Sequence, residues 1–166
     1  MIYEAVLDIQ LGLIELLKTE AEKYTVDNLY RKMQGALAEK LVDLGLVGSE
    51  VARDEIKLTA ACQEFCPHHV SHYLGMDVHD TTLISRNILL KEGMVITIEP
   101  GIYIPAEHCL TPNAKFLSQA PKYFRGIGVR IEDDILITRN GNKLSCDVLT
   151  SGVPKNVSDI EDIVNC

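Results

Sequence analysis

Basic charge is scarce in this sequence. Its 166 residues carry 16 Lys and Arg against 24 Asp and Glu, a formal net charge of -8. That balance excludes the basic stripe of a nucleic-acid or anionic-membrane surface and suits a cationic ligand or a metal better. Long apolar runs are missing too, since no stretch approaches the roughly 18 to 20 residues that span a bilayer. The five cysteines form no C-x-x-C pair and follow no secretory leader, so they read as reduced thiols of an intracellular compartment. The opening Met1-Ile-Tyr-Glu4-Ala-Val-Leu-Asp8 lacks the basic, serine-rich, acid-poor texture of a mitochondrial presequence. No internal repeat or low-complexity linker divides the chain. A single domain over residues 1–166 is expected, long enough to bury a core without a staple.

What is present divides into two textures. Ile2, Val6, Ile9, Leu13 and Leu16 recur at three- and four-residue steps and predict a core-facing helix of about five turns. Tyr24-Thr25-Val-Asp27 supplies an N-cap for a second helix carrying Leu29, Met33, Leu37, Leu41 and Leu44, which Gly45 ends. Val47-Gly48-Ser49 reads as a turn, and Asp54 to Gln63 as a short helix or irregular lead-in. From Val70 onward the chain reads as sheet, with β-branched runs at Val95 to Ile98, Gly101 to Ile104, Val129 to Ile131 and Ile135 to Thr138. Pro105 to Gly126 reads as an irregular loop outside the core, rimming a site. Asn140-Gly141-Asn142 signals a hairpin into a last strand near Leu144, and the acidic stretch Ser158 to Val164 a helical or solvated end. Helices first and sheet after make the fold class α+β.

Four of the five histidines fall within twelve residues, at 68, 69, 72 and 79. Two later β-rich runs, Met94 to Gly101 and Gly128 to Asp133, each place a glutamate, Glu99 and Glu132, beside apolar neighbours. Imidazole and carboxylate from separate strands are what a hydrolytic metal site requires. In an extended segment His68, Val70 and His72 share one face, His69 points the other way as a structural residue, and His79 must reach back after a turn at Gly75. Arg130, two residues from Glu132, is placed to orient a carboxylate from behind. Cys66 reads as a reduced thiol rather than a metal ligand or nucleophile, because carboxylates already serve the site, and His108 as a surface histidine without metal-spaced partners. Asp77, Asp80, Asp133 and Asp134 read as supporting or surface groups.

The phrases Cys66-Pro-His-His-Val70, His72-Tyr-Leu-Gly-Met-Asp-Val-His-Asp80, Gly93-Met-Val-Ile-Thr-Ile-Glu-Pro-Gly-Ile-Tyr-Ile-Pro105 and Phe124-Arg-Gly-Ile-Gly-Val-Arg-Ile-Glu-Asp-Asp134 resemble the pita-bread metallopeptidases. That superfamily holds methionine aminopeptidase, prolidase and aminopeptidase P. Within it the phrases are similar to the mitochondrial X-prolyl aminopeptidases, the third type of aminopeptidase P. The resemblance implies an incomplete pita-bread fold: the helices of its first half and the β-rich second half. It implies an aminopeptidase that releases a residue preceding proline, with His72 and Glu99 ligating one metal and Glu132 bridging two. His68 and His79 are implied to contact substrate and stabilise charge developing on the scissile carbonyl. The implied cofactor is a divalent metal, Mn2+ first and Zn2+ or Co2+ as alternatives, two per complete site. The implied partners are peptide or protein N-termini with proline second, neither nucleic acid nor membrane, and a homodimer is admitted. Mitochondrial residence is implied, with the cytoplasm as the alternative. The family pattern also places two aspartates on a hairpin ahead of the first helix, and this sequence has no match for them. Impaired activity is therefore expected, and a non-catalytic pita-bread binding module or an inactive truncated isoform is the competing expectation.

Overall fold

The computed structural model describes residues 1–81 and 83–165. Helix α1, Ile2–Glu20, buries Ile2, Val6, Ile9, Leu13 and Leu17 along one stripe, so Leu17 completes the face where the sequence suggested the half-buried Leu16. Helix α2, Val26–Asp43, starts at Thr25, whose side chain accepts the Asn28 N–H, the capping bond expected of threonine. It ends at Gly45, which adopts φ +64. There Gly45 N–H donates to Val42 O and Leu46 N–H to Leu41 O, both at 2.9 Å, the paired closing bonds of a left-handed glycine cap. A single turn α3, Ser49–Ala52, leads to α4, Glu55–Phe65, capped by the Asp54 carboxylate. Leu29, Met33, Leu37, Leu41 and Phe65 are fully buried, joining α1, α2 and α4 into the core that carries the sheet.

Among the described residues five strands follow: β1 Val95–Ile98, β2 Gly101–Ile104, β3 Ile127–Arg130, β4 Asp133–Asn140 and β5 Lys143–Val148. They form an antiparallel sheet in the order β1-β4-β5 and a two-stranded ribbon β2-β3. Helix α1 packs on β5 and reaches β1, β2 and β3. The hairpin β4-β5 turns through Gly141 at φ +62, next to the Asn140 and Lys143 pair. Between sheet and ribbon the chain breaks twice at one level, at Glu99-Pro100 and at Ile131-Glu132. The register continues across the break, with Ile98 opposite Asp133 and Gly101 opposite Arg130. Glu99 therefore stands opposite Glu132. Proline, which has no N–H to give a ladder, suits such a break.

Two expectations change. The histidine segment is not a regular strand; it runs beside β1 through an isolated Tyr73 to Ile96 bridge, and the regular strands begin only at Val95. Pro105 to Gly126 is irregular but not outside the core, because its short 3-10 turns deliver the buried Ala120 and Phe124 to the main hydrophobic cluster. Cys62, Cys66, Cys109 and Cys146 are free thiols, and Cys166 lies outside the described residues. The expected acidic end is helix α5, Val157–Val164, none of whose residues is buried.

Candidate metal centre

Backbone pairing builds the site. Thr97 N–H donates to His72 O at 3.0 Å and Glu99 N–H to Val70 O at 2.8 Å, so the histidine segment forms the outer neighbour of β1. In β1, Ile96 and Ile98 are fully buried in the core, and the period of two sends Thr97 and Glu99 to the other face. His72 meets them there. Glu132 arrives from across the break, and one ligand atom from each of His72, Glu99 and Glu132 lies within 4.8 Å of the others. Among the described residues these three form the only such group of His, Cys, Asp or Glu.

The hydrogen bonding of this group favours a cation. The His72 ring contacts Tyr73 O through Nδ1 at 3.0 Å, which assigns a proton to Nδ1 and, in the neutral ring, leaves a lone pair on Nε2. That Nε2 faces Glu99 Oε1 at 3.3 Å. Two acceptors at that distance repel unless a positive charge stands between them, and Glu132 opposite adds a second carboxylate to the same space. Glu132 is exposed, yet the walls around its carboxyl raise its pKa through desolvation first and the Glu99 charge second, with His72 and Arg130 pulling the other way. Imidazole nitrogen and two carboxylate oxygens are donors suited to a divalent ion.

The remaining site residues surround this group. Arg130 pairs through Nη1 with Glu99 Oε2 at 3.2 Å and through Nε with Tyr103 OH at 2.7 Å, so the carboxylate it orients is that of Glu99. Tyr103 OH lies 2.8 Å from His68 Nε2, and His68 Nδ1 lies 2.8 Å from His69 O; the tyrosine thus donates to His68 while accepting from Arg130. Its ring crosses Gly101 and Gly128, where a Cβ would press on it at 2.7 Å and 3.3 Å. His79 does reach back: Tyr73 bridges to Asp80, a Cβ at Gly75 would collide with the Asp80 carboxylate, and the His79 and His72 rings meet edge-on at 4.5 Å. Both histidines line a cavity of about 480 Å³ with Asp27, Asp80 and Arg86.

His69 turns away, as the alternation predicted, stacking on Tyr30 at 4.5 Å. Burial, then the Arg86 charge, lowers its pKa. Cys66 is buried beside His68, Sγ to Nε2 3.6 Å, and burial raises its thiol. His108 is exposed in the 105–126 segment. Asp133 points into the core, away from its neighbour Glu132, where it accepts from Gln10, Thr150 and Lys155. Sequence reasoning passed over Thr97 and Tyr103. The alternation of β1 was the signal for Thr97; for Tyr103 it was a tyrosine facing Gly128, legible only once the β2-β3 register is known.

Residues 1–139 match the profile of metallopeptidase family M24. The chain belongs to that family. Human Xaa-Pro aminopeptidase 3 is 43% identical over 162 residues, 98% of this chain and 28% of that protein. Intermediate cleaving peptidase 55, mitochondrial, of Arabidopsis thaliana is 44% identical over 99 residues, 60% of this chain and 17% of that protein. Zinc-substituted E. coli aminopeptidase P in complex with product superposes with a TM-score of 0.77 at 32% identity, covering 99% of this chain and 33% of that one. The fold is thus the pita-bread fold of aminopeptidase P, represented in part. The chain spans less than a third of the length of these two curated relatives.

Proposed function

We propose that residues 1–166 contribute the His72, Glu99 and Glu132 side of a metal-dependent aminopeptidase centre that releases an N-terminal residue preceding proline. The observation that carries this reading is the His72 Nε2 held 3.3 Å from the Glu99 carboxylate, with its Nδ1 on the Tyr73 carbonyl and Glu132 opposite. Manganese is the preferred cation, with zinc or cobalt as alternatives. These donors would hold a divalent ion, which when bound would supply a water of lowered pKa and polarise a peptide carbonyl. The chain's own residues do the rest. Arg130 holds Glu99 by Oε2, keeping Oε1 toward the centre. His79 meets the His72 ring in a T-shaped contact in the cavity that receives the peptide. His68 meets charge developing on the scissile carbonyl once its Nε2, which accepts from Tyr103 OH in the free protein, is released and protonated, its Nδ1–H staying on the His69 carbonyl. Peptide and protein N-termini with proline second are the substrates, and mitochondrial residence follows the named plant relative.

Titration of the 166-residue chain with Mn2+ by calorimetry, followed by an X-Pro peptide assay, tests this. Binding that disappears in Glu132→Gln and Glu99→Gln, with any turnover abolished by Glu132→Gln, is the expected result. Turnover untouched by Glu132→Gln refutes it. A wild-type chain that takes no Mn2+, Zn2+ or Co2+ at millimolar concentration instead identifies a non-catalytic peptide-binding member of the family.

A further inference from the structure

We propose that Thr97 is a positioning residue of this centre, one hydroxyl that sets the backbone of His72 and the carboxylate of Glu99 together. The inference rests on the reading of His72, Glu99 and Glu132 as metal ligands and deepens it. Thr97 is 1% exposed, so its hydroxyl has no water to satisfy it. Its Oγ1 accepts the His72 N–H at 3.1 Å and donates to Glu99 Oε1 at 3.1 Å. That uses the single donor of a hydroxyl and one of its two acceptor sites.

The pairing of the two segments shows how unusual the first bond is. Thr97 N–H goes to His72 O, and a regular antiparallel exchange would return the His72 N–H to the Thr97 carbonyl. Here it goes to the side chain. The histidine segment is thereby drawn to the hydroxyl, and the His72 ring, anchored to Tyr73 O, follows its backbone. The second bond lands on Oε1, the oxygen that faces His72 Nε2, whereas Arg130 holds Oε2. Glu99 is gripped on both oxygens, one by a cation and one by a neutral donor. A charged donor on Oε1 would compete with a metal for it; a hydroxyl orients the oxygen and leaves a lone pair free.

Threonine is also the residue type that does this with least freedom. Its branched Cβ restricts χ1 on a strand, so the hydroxyl is aimed by the backbone. Valine keeps the shape and loses the hydroxyl; serine keeps the hydroxyl and loses the methyl.

The test compares the 166-residue chain with Thr97→Val and Thr97→Ser, by Mn2+ calorimetry and by amide hydrogen exchange at His72 without metal. Valine is expected to weaken Mn2+ binding by about 10- to 100-fold, the range for groups that support metal ligands, and to strip the His72 amide of its protection. Serine is expected to restore both toward wild type. Should valine not fold, Thr97→Ala takes its place. Wild-type affinity in a hydroxyl-free variant, or serine as weak as valine, overturns the proposal while leaving the metal centre standing. A wild-type chain that binds no Mn2+ removes the centre itself, and the hydroxyl is then a structural bridge, so the proposal falls with it.

Discussion

Lys155→Met is expected to destabilise the fold by about 3 kcal/mol, through a carboxylate one residue away from the proposed centre. Asp133 is 1% exposed. It accepts from Gln10 Nε2 at 2.7 Å on Oδ2 and, on Oδ1, from Thr150 Oγ1 at 2.6 Å and Lys155 Nζ at 2.9 Å. Methionine preserves most of the apolar stem and removes the charge, so the carboxylate remains buried with two neutral donors. Breaking a buried pair from one side costs about 3–5 kcal/mol. The two surviving bonds, and the 18% exposure of the Lys155 side chain, place this site at the low end. In a chain of this length 1 kcal/mol moves the melting temperature by about 2–4 °C, so a fall of about 6–12 °C is expected. Urea denaturation should show a lower midpoint at an unchanged slope. The double variant Asp133→Leu with Lys155→Met is expected to cost less than Lys155→Met alone, since it leaves no orphaned charge. A loss below about 1 kcal/mol, well under the cost of an orphaned buried charge, or a double variant worse than the single, refutes this account of the burial.

Three further outcomes follow from local geometry and burial. Gly45→Ala is expected to cost about 1 kcal/mol in urea denaturation, because φ is +64 and a Cβ there meets no neighbouring atom, leaving only the left-handed backbone penalty; an unchanged or raised midpoint contradicts that conformation. Burial raises the Cys62 and Cys146 thiols from 9.0 to about 11. Because the folded value lies above the unfolded one, their contribution is fully present below about pH 9 and is lost as pH rises toward 11. Melting temperature should fall across that window. At pH 8, peptide mapping after iodoacetamide should find Cys109, which is exposed, modified well before Cys62 or Cys146, and equal labelling of the three refutes their burial.

Much of the architecture is readable from residue order because it rests on short-range rules. The stripe of α1, the cap within Tyr24 to Asp27, the Gly45 stop and the Gly141 turn each depend on side chains a few positions apart, and, with Leu17 in place of Leu16 on the α1 face, they appear where those rules put them. The same holds for His69, which alternation turns toward Tyr30, away from His72. The histidine segment and the 105–126 segment were harder. Val70 to Leu74 has the composition of a strand but pairs irregularly beside β1, and nothing local shows that Phe124 will find the core.

Sequence alone determined the two helices that carry the core, the strand runs, and the residues worth suspecting at 68, 72, 79, 99, 130 and 132. Their convergence was decided only in three dimensions. The break at Pro100 continues the register so that Glu99 meets Glu132, the pairing of His72 with Thr97 sets the third donor, and Tyr103 threads between glycines on different strands to join Arg130 to His68. The physical reason is reach: helix stripes and caps are set by neighbours within a turn, whereas register is set by pairing between residues some 25 to 41 positions apart, which composition does not encode.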